Sequence, residues 1–313
     1  MLHIFSSDYT GKLRECSEVK PGSWIHMTNP NHDEINQMVE QLNLEPDFIK
    51  DPLDDEERSR IEREDDNLLI IVDIPTYSHD VEGQATYSTI PLGIIITKDH
   101  FVTICLEENP IFERFIYNRI KGFYTFKKTR FAFQLLYAIS AYYLRYLKAI
   151  NRKTGEIETS LYKSMKNEEL FYLLSLEKSL VYFTTSLKSN NIIMQKLLKN
   201  EYLKMYEDDQ ELLEDVIIEY RQAIEMAETY SNILNGMIDV FASVINNNVN
   251  NVMKLLASIT IILSLPTMVA SFFGMNLLLP ITESNPYGFY IILGVAFFLS
   301  LTAAFLFWRK NYL

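Results

Sequence analysis

The chain has 313 residues, a formal net charge of −12 and 48% apolar residues. That acidic balance argues against nucleic acid as a partner; it suits the attraction of cations, or plain solubility. The two cysteines, Cys16 and Cys105, stand far apart in no paired motif, which excludes a disulfide framework and a cysteine zinc site and suits a reducing compartment.

Met1-Leu2-His3 leads into mixed polar sequence with no signal peptide, so the N-terminal part is expected in the cytosol. Residues 1 to about 110 read as α+β. Leu69-Ile70-Ile71-Val72, Gly93-Ile94-Ile95-Ile96 and Phe101 to Cys105 are short β-rich runs, and Lys98-Asp99-His100 is a hairpin turn between the last two. His32 to Leu44 carries helical spacing, with Ile35, Met38, Val39 and Leu42 on one face. The charge run Asp54 to Asp66 is expected to be a solvated loop or helix face.

From about Arg130 the pattern turns helical. No proline lies between Pro110 and Pro266. Phe131 to Lys148 and Glu168 to Lys199 are expected helices, the second opened by an Asn167 cap with acidic Glu168 and Glu169. From Asp208, the residues Leu213, Val216, Tyr220, Ala223, Ala227, Tyr230, Leu234, Met237, Phe241 and Val244 alternate spacings of three and four. That 3.5-residue repeat marks a packed helical seam. One helix of about 100 Å is expected to carry it into the apolar segment that follows.

Two uncharged apolar segments follow, Leu255 to Phe273 and Tyr287 to Trp308. Each is long enough to cross a bilayer core of about 30 Å. Lys254 precedes the first and Arg309 and Lys310 follow the second, while the linking loop has no Lys or Arg. Both termini are therefore expected in the cytoplasm, with the chain held in the cytoplasmic membrane. The expected boundaries are an α/β domain over 1–125, a helical segment 126–207, a stalk helix 208–251, a first span 252–274, an outer loop 275–286, a second span 287–308 and a basic tail 309–313.

The seam, slipped by one residue after Val244, continues through Asn250, Met253, Leu256 or Ala257, Thr260, Ser264, Thr267, Ser271 and Gly274. Beyond Leu256 this face is small and hydroxyl-bearing. It reads either as a water-facing wall or as a helix-packing face, since lipid satisfies neither hydroxyl nor amide. The second span has only Ser300 and Thr302 in its middle and is expected to face lipid. Two spans cannot enclose a path, so a pore requires several subunits, and the heptad seam just inside the membrane offers them a reason to assemble. Asn276 then forms a ring of amide oxygens at the outer mouth. Such a ring can bind the waters of Mg²⁺, which dehydrates reluctantly. Met253 and Leu256 form an apolar constriction, and Asn250 a second polar ring.

The end of the first span, Gly274-Met275-Asn276, resembles the signature of the CorA family of divalent-cation channels. Asn250-Asn251-Val252-Met253-Lys254, Leu265-Pro266-Thr267 and the ending Trp308-Arg309-Lys310-Asn311-Tyr312-Leu313 support the likeness. So does Asp51-Pro52-Leu53-Asp54 with Glu57, Arg60 and Glu62. The resemblance implies a homopentamer with a cytosolic α+β funnel, long helices, a C-terminal two-span hairpin and an axial pore. Gly274, Met275 and Asn276 would form its selectivity filter. It also implies gating by cytosolic Mg²⁺ bound between neighbouring funnels. Asp215, in Leu213-Glu214-Asp215-Val216, matches the stalk carboxylate of that site, and Asp80, after Pro75-Thr76-Tyr77, lies in the region of its partner. Phe273 stands where the family more often has Tyr, and Leu277-Leu278-Leu279 makes the outer loop less acidic than many. The transported ion is expected to be Mg²⁺, with Co²⁺, Ni²⁺ or Zn²⁺ as alternatives. Proton-coupled Zn²⁺ transport and a membrane-tethered sensor or scaffold are the competing functions. No phosphate loop, His-Glu-x-x-His or nucleophile elbow is present, so an enzyme is not expected.

Overall fold

The computed structural model describes residues 1–79, 83–164, 167–199, 202–275, 287–310 and 312. They form two compact units, Met1–Met237 and Ile238–Leu313. In the first, seven strands make one sheet: β1 (Leu2–Ser7), β2 (Leu13–Cys16), β3 (Trp24–Thr28), β4 (Arg60–Glu64), β5 (Asn67–His79), β6 (Ala85–Ile96) and β7 (Phe101–Cys105). Their order is β2-β1-β3-β7-β6-β5-β4. Only the central β3–β7 pair is parallel.

Alternate residues of a strand face opposite sides, and here both sides are covered. Ile25, Met27, Leu69, Ile71, Ile95, Val102 and Ile104 pack with α1 (His32–Leu42) and α2 (Pro46–Lys50). Helix α1 starts on a capping box, in which Asn31 and Glu34 each accept from the other's backbone N–H. A 3₁₀ turn at Asp51–Leu53 follows, and its Pro52 lies so close to β6 that a Cβ on Gly93 would sit 2.4 Å from the proline ring. Only glycine allows that approach.

On the opposite face, Trp24 meets Phe112 and Phe115 of α3 (Pro110–Ile116), Phe123, and Phe131 of α4 (Lys128–Ser164) at centroid distances of 5.2–6.4 Å. Helix α5 (Asn167–Lys199) packs on β5 and β6. This face also buries a small polar network. Trp24 Nε1–H donates to Thr103 Oγ1 (2.8 Å), which lies 2.9 Å from His26 Nδ1, and Thr28 Oγ1 lies 3.2 Å from His26 Nε2. Cys105 is buried alongside, and burial pushes its thiol up to about 12, leaving it inert.

Burial lowers His26 to about 3, well below the usual histidine value. The unfolded chain therefore binds a proton that the folded one refuses, and stability falls as pH drops below the ordinary value of about 6.5. We expect this group alone to remove about 1.4 kcal/mol per pH unit between about pH 6 and pH 3. Chemical denaturation across that range should show a shallower acid limb in His26→Gln than in the parent. An equally steep limb would refute the assignment.

The helical spacing of His32–Leu44, the three β-rich runs and the Lys98–His100 turn all appear where the sequence places them. The charge run differs. Within Asp54–Asp66, Arg60–Glu64 is the edge strand β4, paired antiparallel to β5. Its charged, mostly exposed side chains hid it from a period-two reading, and charges of this kind keep an edge from pairing with other chains. Arg60 there gathers Asp51, Glu57 and Glu62, which gives the residues around Asp51-Pro52-Leu53-Asp54 a shared structural reason. Helix α5 begins at Asn167 with Glu168 and Glu169 in its first turn; the Asn167 side chain, and hence the expected cap, lies outside the described residues.

Helix α6 (Glu207–Phe273) is 67 residues long and contains Pro266; α7 (Gly288–Arg309) follows. Leu213, Val216, Tyr220, Ala223, Ala227 and Leu234 of the seam are buried within the first unit. Tyr220 lies 6.5 Å from Tyr143 of α4, and Glu228 pairs with Lys188 of α5 at 2.6 Å. Over this stretch the seam is filled by the chain itself. The same 3.5 period serves packing within a chain and between chains alike.

Candidate functional site

Among the described residues two helices, α6 and α7, are long and apolar enough to cross a membrane, and their apolar stretches lie in the second unit. The most deeply buried positions between them are small, and larger residues flank these. On α6, Ser258 is 2% exposed, and Ile262, Leu265, Pro266 and Val269 are half-buried. On α7, Gly288 and Ala296 are buried, and Ile292, Ser300, Ala304 and Phe307 half-buried. Small side chains let membrane helices approach closely.

Pro266 has no N–H, so the Ile262 carbonyl four residues earlier loses its helical donor. Ser300 Oγ of α7 lies 3.4 Å from that carbonyl oxygen and 3.1 Å from Ala296 O, so its one proton is shared between the two. The second span is thus more than a lipid-facing helix: its one central serine covers the gap left by the proline. Pro266 itself was the sequence signal for this role, since a buried carbonyl without a partner needs a donor from elsewhere.

The hydroxyl stripe occupies the other side of α6. At 100° per residue, the positions Asn250, Met253, Leu256, Thr260, Ser264, Thr267, Ser271 and Gly274 centre about 180° from the face that meets α7. All eight are exposed, Met253 at 61% and Leu256 at 54%. Within this chain, the stripe residues do not pack against the second span. Three hydroxyls bond back to carbonyls three or four residues earlier. Thr260 donates to Leu256 O (2.8 Å), Ser264 to Ile261 O (2.9 Å) and Thr267 to Leu263 O (3.2 Å). With the proton held by the helix, each oxygen turns its lone pairs outward as an acceptor.

The helix closes at its signature end with a tightened turn. Gly274 N–H donates to Ala270 O (3.0 Å) and Ser271 O (3.3 Å), and Met275 N–H to Phe272 O (3.4 Å). The last carbonyls of a helix carry a partial negative charge. Asn276 and residues 277–286 of the outer loop lie outside the described residues. At the other end, Lys254 Nζ sits 5.8 Å from the Tyr312 ring.

Asp215 is exposed on α6, and Asp80 lies outside the described residues. Among the described residues no group of three or more His, Cys, Asp or Glu is placed to hold a metal ion. Asp215 is thus not brought into such a cluster by the described residues of its own chain.

Residues 20–310 match the family described as CorA-like Mg²⁺ transporter protein. The cobalt/magnesium transport protein CorA of Methanocaldococcus jannaschii is 28% identical over 300 residues, covering 93% of this chain and 91% of its own length. That of Thermotoga maritima is 25% identical over 312 residues, covering 93% and 83%. The complete structure of the M. jannaschii CorA magnesium transporter superposes with a TM-score of 0.86 at 23% identity, over 100% of this chain and 99% of that one. The ZntB cytoplasmic domain from Vibrio parahaemolyticus shares the fold more loosely, with a TM-score of 0.53 at 14% identity over 79% of this chain. The sheet with its covering helices, the single long helix and the apolar hairpin form the fold of those CorA relatives, and the chain belongs to the CorA-like Mg²⁺ transporter family.

Proposed function

We propose that this protein is a membrane channel for hydrated Mg²⁺, built as a homopentamer in which each subunit turns the stripe of its first span toward a common axis. The observation that carries this reading is the stripe itself: hydroxyl oxygens presented as acceptors on the one face of α6 turned away from α7. A hydrated cation offers outward-pointing water protons, and acceptor oxygens suit that surface without stripping the water. Asn250, Met253 and Leu256 form the inner end of the path; Gly274, Met275 and Asn276 form its outer filter. The carbonyl end of α6 adds negative potential where the ion enters. Both termini are placed in the cytoplasm, on the side of Lys254, Arg309 and Lys310.

The test is flux into proteoliposomes for Mg²⁺, Co²⁺, Ni²⁺ and Zn²⁺, with and without a proton gradient. Mg²⁺ flux independent of the gradient is expected; flux of Zn²⁺ alone, driven by protons, would move the assignment to a transporter of the same fold. No flux of any ion would favour a tethered sensor or scaffold. Removing the hydroxyls together (Thr260→Val, Ser264→Ala, Thr267→Val) should cut flux at least about tenfold, since hydrogen bonds to charged partners are worth about 1.5–3 kcal/mol each. Ile259→Val and Phe272→Leu, more than 100° from the centre of the stripe, should leave flux near the parent value. Equal losses from both sets would sink the axial placement.

Cytosolic Mg²⁺ is proposed to hold the pore closed from sites between subunits, with Asp215 as one ligand and Asp80 as its candidate partner. Carboxylates from neighbouring chains repel unless a cation sits between them. Asp215→Asn should therefore weaken the protection Mg²⁺ gives against limited trypsin digestion of the full-length protein. Equal protection in parent and variant would count against this role.

A further inference from the structure

The first unit carries a cleft of about 700 Å³ between the β5–β6 ribbon and α4. Three cations line it, Arg145, Lys148 and Arg152, and its lining residues include no carboxylate. Their spacings of three and four place them on one face of α4, where like charges repel. A chain of net charge −12 has no general need for such a row. Arg152 reaches Glu156 only at 4.0 Å, with both side chains largely in water. Arg145 lies 5.8 Å from the Tyr142 ring, a contact that leaves its donors free to turn into the cleft.

Four tyrosines line the cleft beside them, with Ala85, Pro110 and Ala149 between. Tyr146 lies 5.9 Å from Tyr77, 5.4 Å from Tyr87 and 6.0 Å from Tyr142, forming a ring floor beside the cations. Tyr146 is buried, Tyr87 half-buried, and Tyr77 at the rim is 50% exposed. A solvated helix face explains the cations but not tyrosines gathered beneath them. Aromatic faces stack on heteroaromatic rings, and Arg and Lys bind phosphate oxygens through charge-assisted hydrogen bonds. The volume lies within the range of small-molecule sites.

We propose that this cleft binds a nucleoside polyphosphate, its base against Tyr77 and Tyr87 and its phosphates on Arg145, Lys148 and Arg152. Polyphosphate oxygens are hard ligands for Mg²⁺, so the charge of the bound ligand varies with free Mg²⁺. The site stands apart from the proposed ion path and does not rest on it.

The experiment is calorimetric titration of the full-length protein in detergent, without divalent metal, using ATP, tripolyphosphate and adenosine in turn. Saturable ATP binding is expected, tighter than that of either fragment. Arg145→Ala with Arg152→Ala should weaken ATP at least about tenfold, the loss of charge-assisted contacts. Tyr77→Ala should weaken ATP and leave tripolyphosphate unchanged. These are exposed side chains, and an unchanged thermal melt separates lost binding from lost fold. Absence of saturable binding at millimolar ATP, or binding that the paired substitution leaves intact, overturns the proposal. Tripolyphosphate binding as tightly as ATP overturns the nucleoside part. No arm reads ion flux, so failure here is distinct from failure of the channel reading.

Discussion

Asn276→Ala is expected to abolish divalent-ion flux while the oligomer survives. On the proposed reading, Asn276 is the first side chain a hydrated cation meets, and its neutral amide oxygen accepts from metal-bound water. A hydrogen bond to a charged partner is worth about 1.5–3 kcal/mol, and symmetry repeats the loss in every subunit. Alanine supplies no acceptor, so the ion meets an apolar ring and must keep its hydration without help. Asn276 follows in sequence the turn that closes α6. Size-exclusion chromatography should show the parent oligomer, and proteoliposomes loaded with a Mg²⁺-sensitive dye should stay dark. Undiminished Mg²⁺ entry would remove Asn276 from the filter.

The largest stability loss is expected for Trp24→Ala. Trp24 is fully buried on β3, with phenylalanines from three successive segments around its ring and its N–H bonded to Thr103. Truncating a buried tryptophan costs about 3–5 kcal/mol through lost transfer energy and the cavity left behind. The loss also strips Thr103 of a donor in a network that includes His26. Trp24→Phe keeps most of the ring and loses the hydrogen bond, so it should cost nearer 1–2 kcal/mol, the penalty of an unmade buried bond. Urea unfolding followed by circular dichroism checks both. A Trp24→Ala protein within about 1 kcal/mol of the parent would show that α3 and α4 are not held to the sheet through this residue.

Much of this architecture was legible because its signals are periodic. The spans declared themselves by length, α6 by its repeat and the absence of proline before Pro266, and β7 by its short run of β-branched and apolar residues. Strand β4 was not legible, since an edge strand of alternating charge has no apolar face to betray it. Nor was the partner of the seam: spacing shows that a helix packs, not on what. The stripe on α6 could be read residue by residue, but whether it faced its own second span or turned away could be decided only once α7 was in place. The tyrosine and arginine cleft left no trace in the sequence, because Tyr77, Tyr87 and Tyr146 come from two strands and a helix.

The bond from Ser300 to the Ile262 carbonyl bears on how the hairpin enters the bilayer. A first span inserted alone would present a carbonyl without its helical donor to hydrocarbon, at a cost of several kcal/mol. The second span removes that cost as it docks. The hairpin is thus completed as a pair, and a Ser300→Ala chain should falter during biogenesis, at the moment of insertion, before any question of conduction arises.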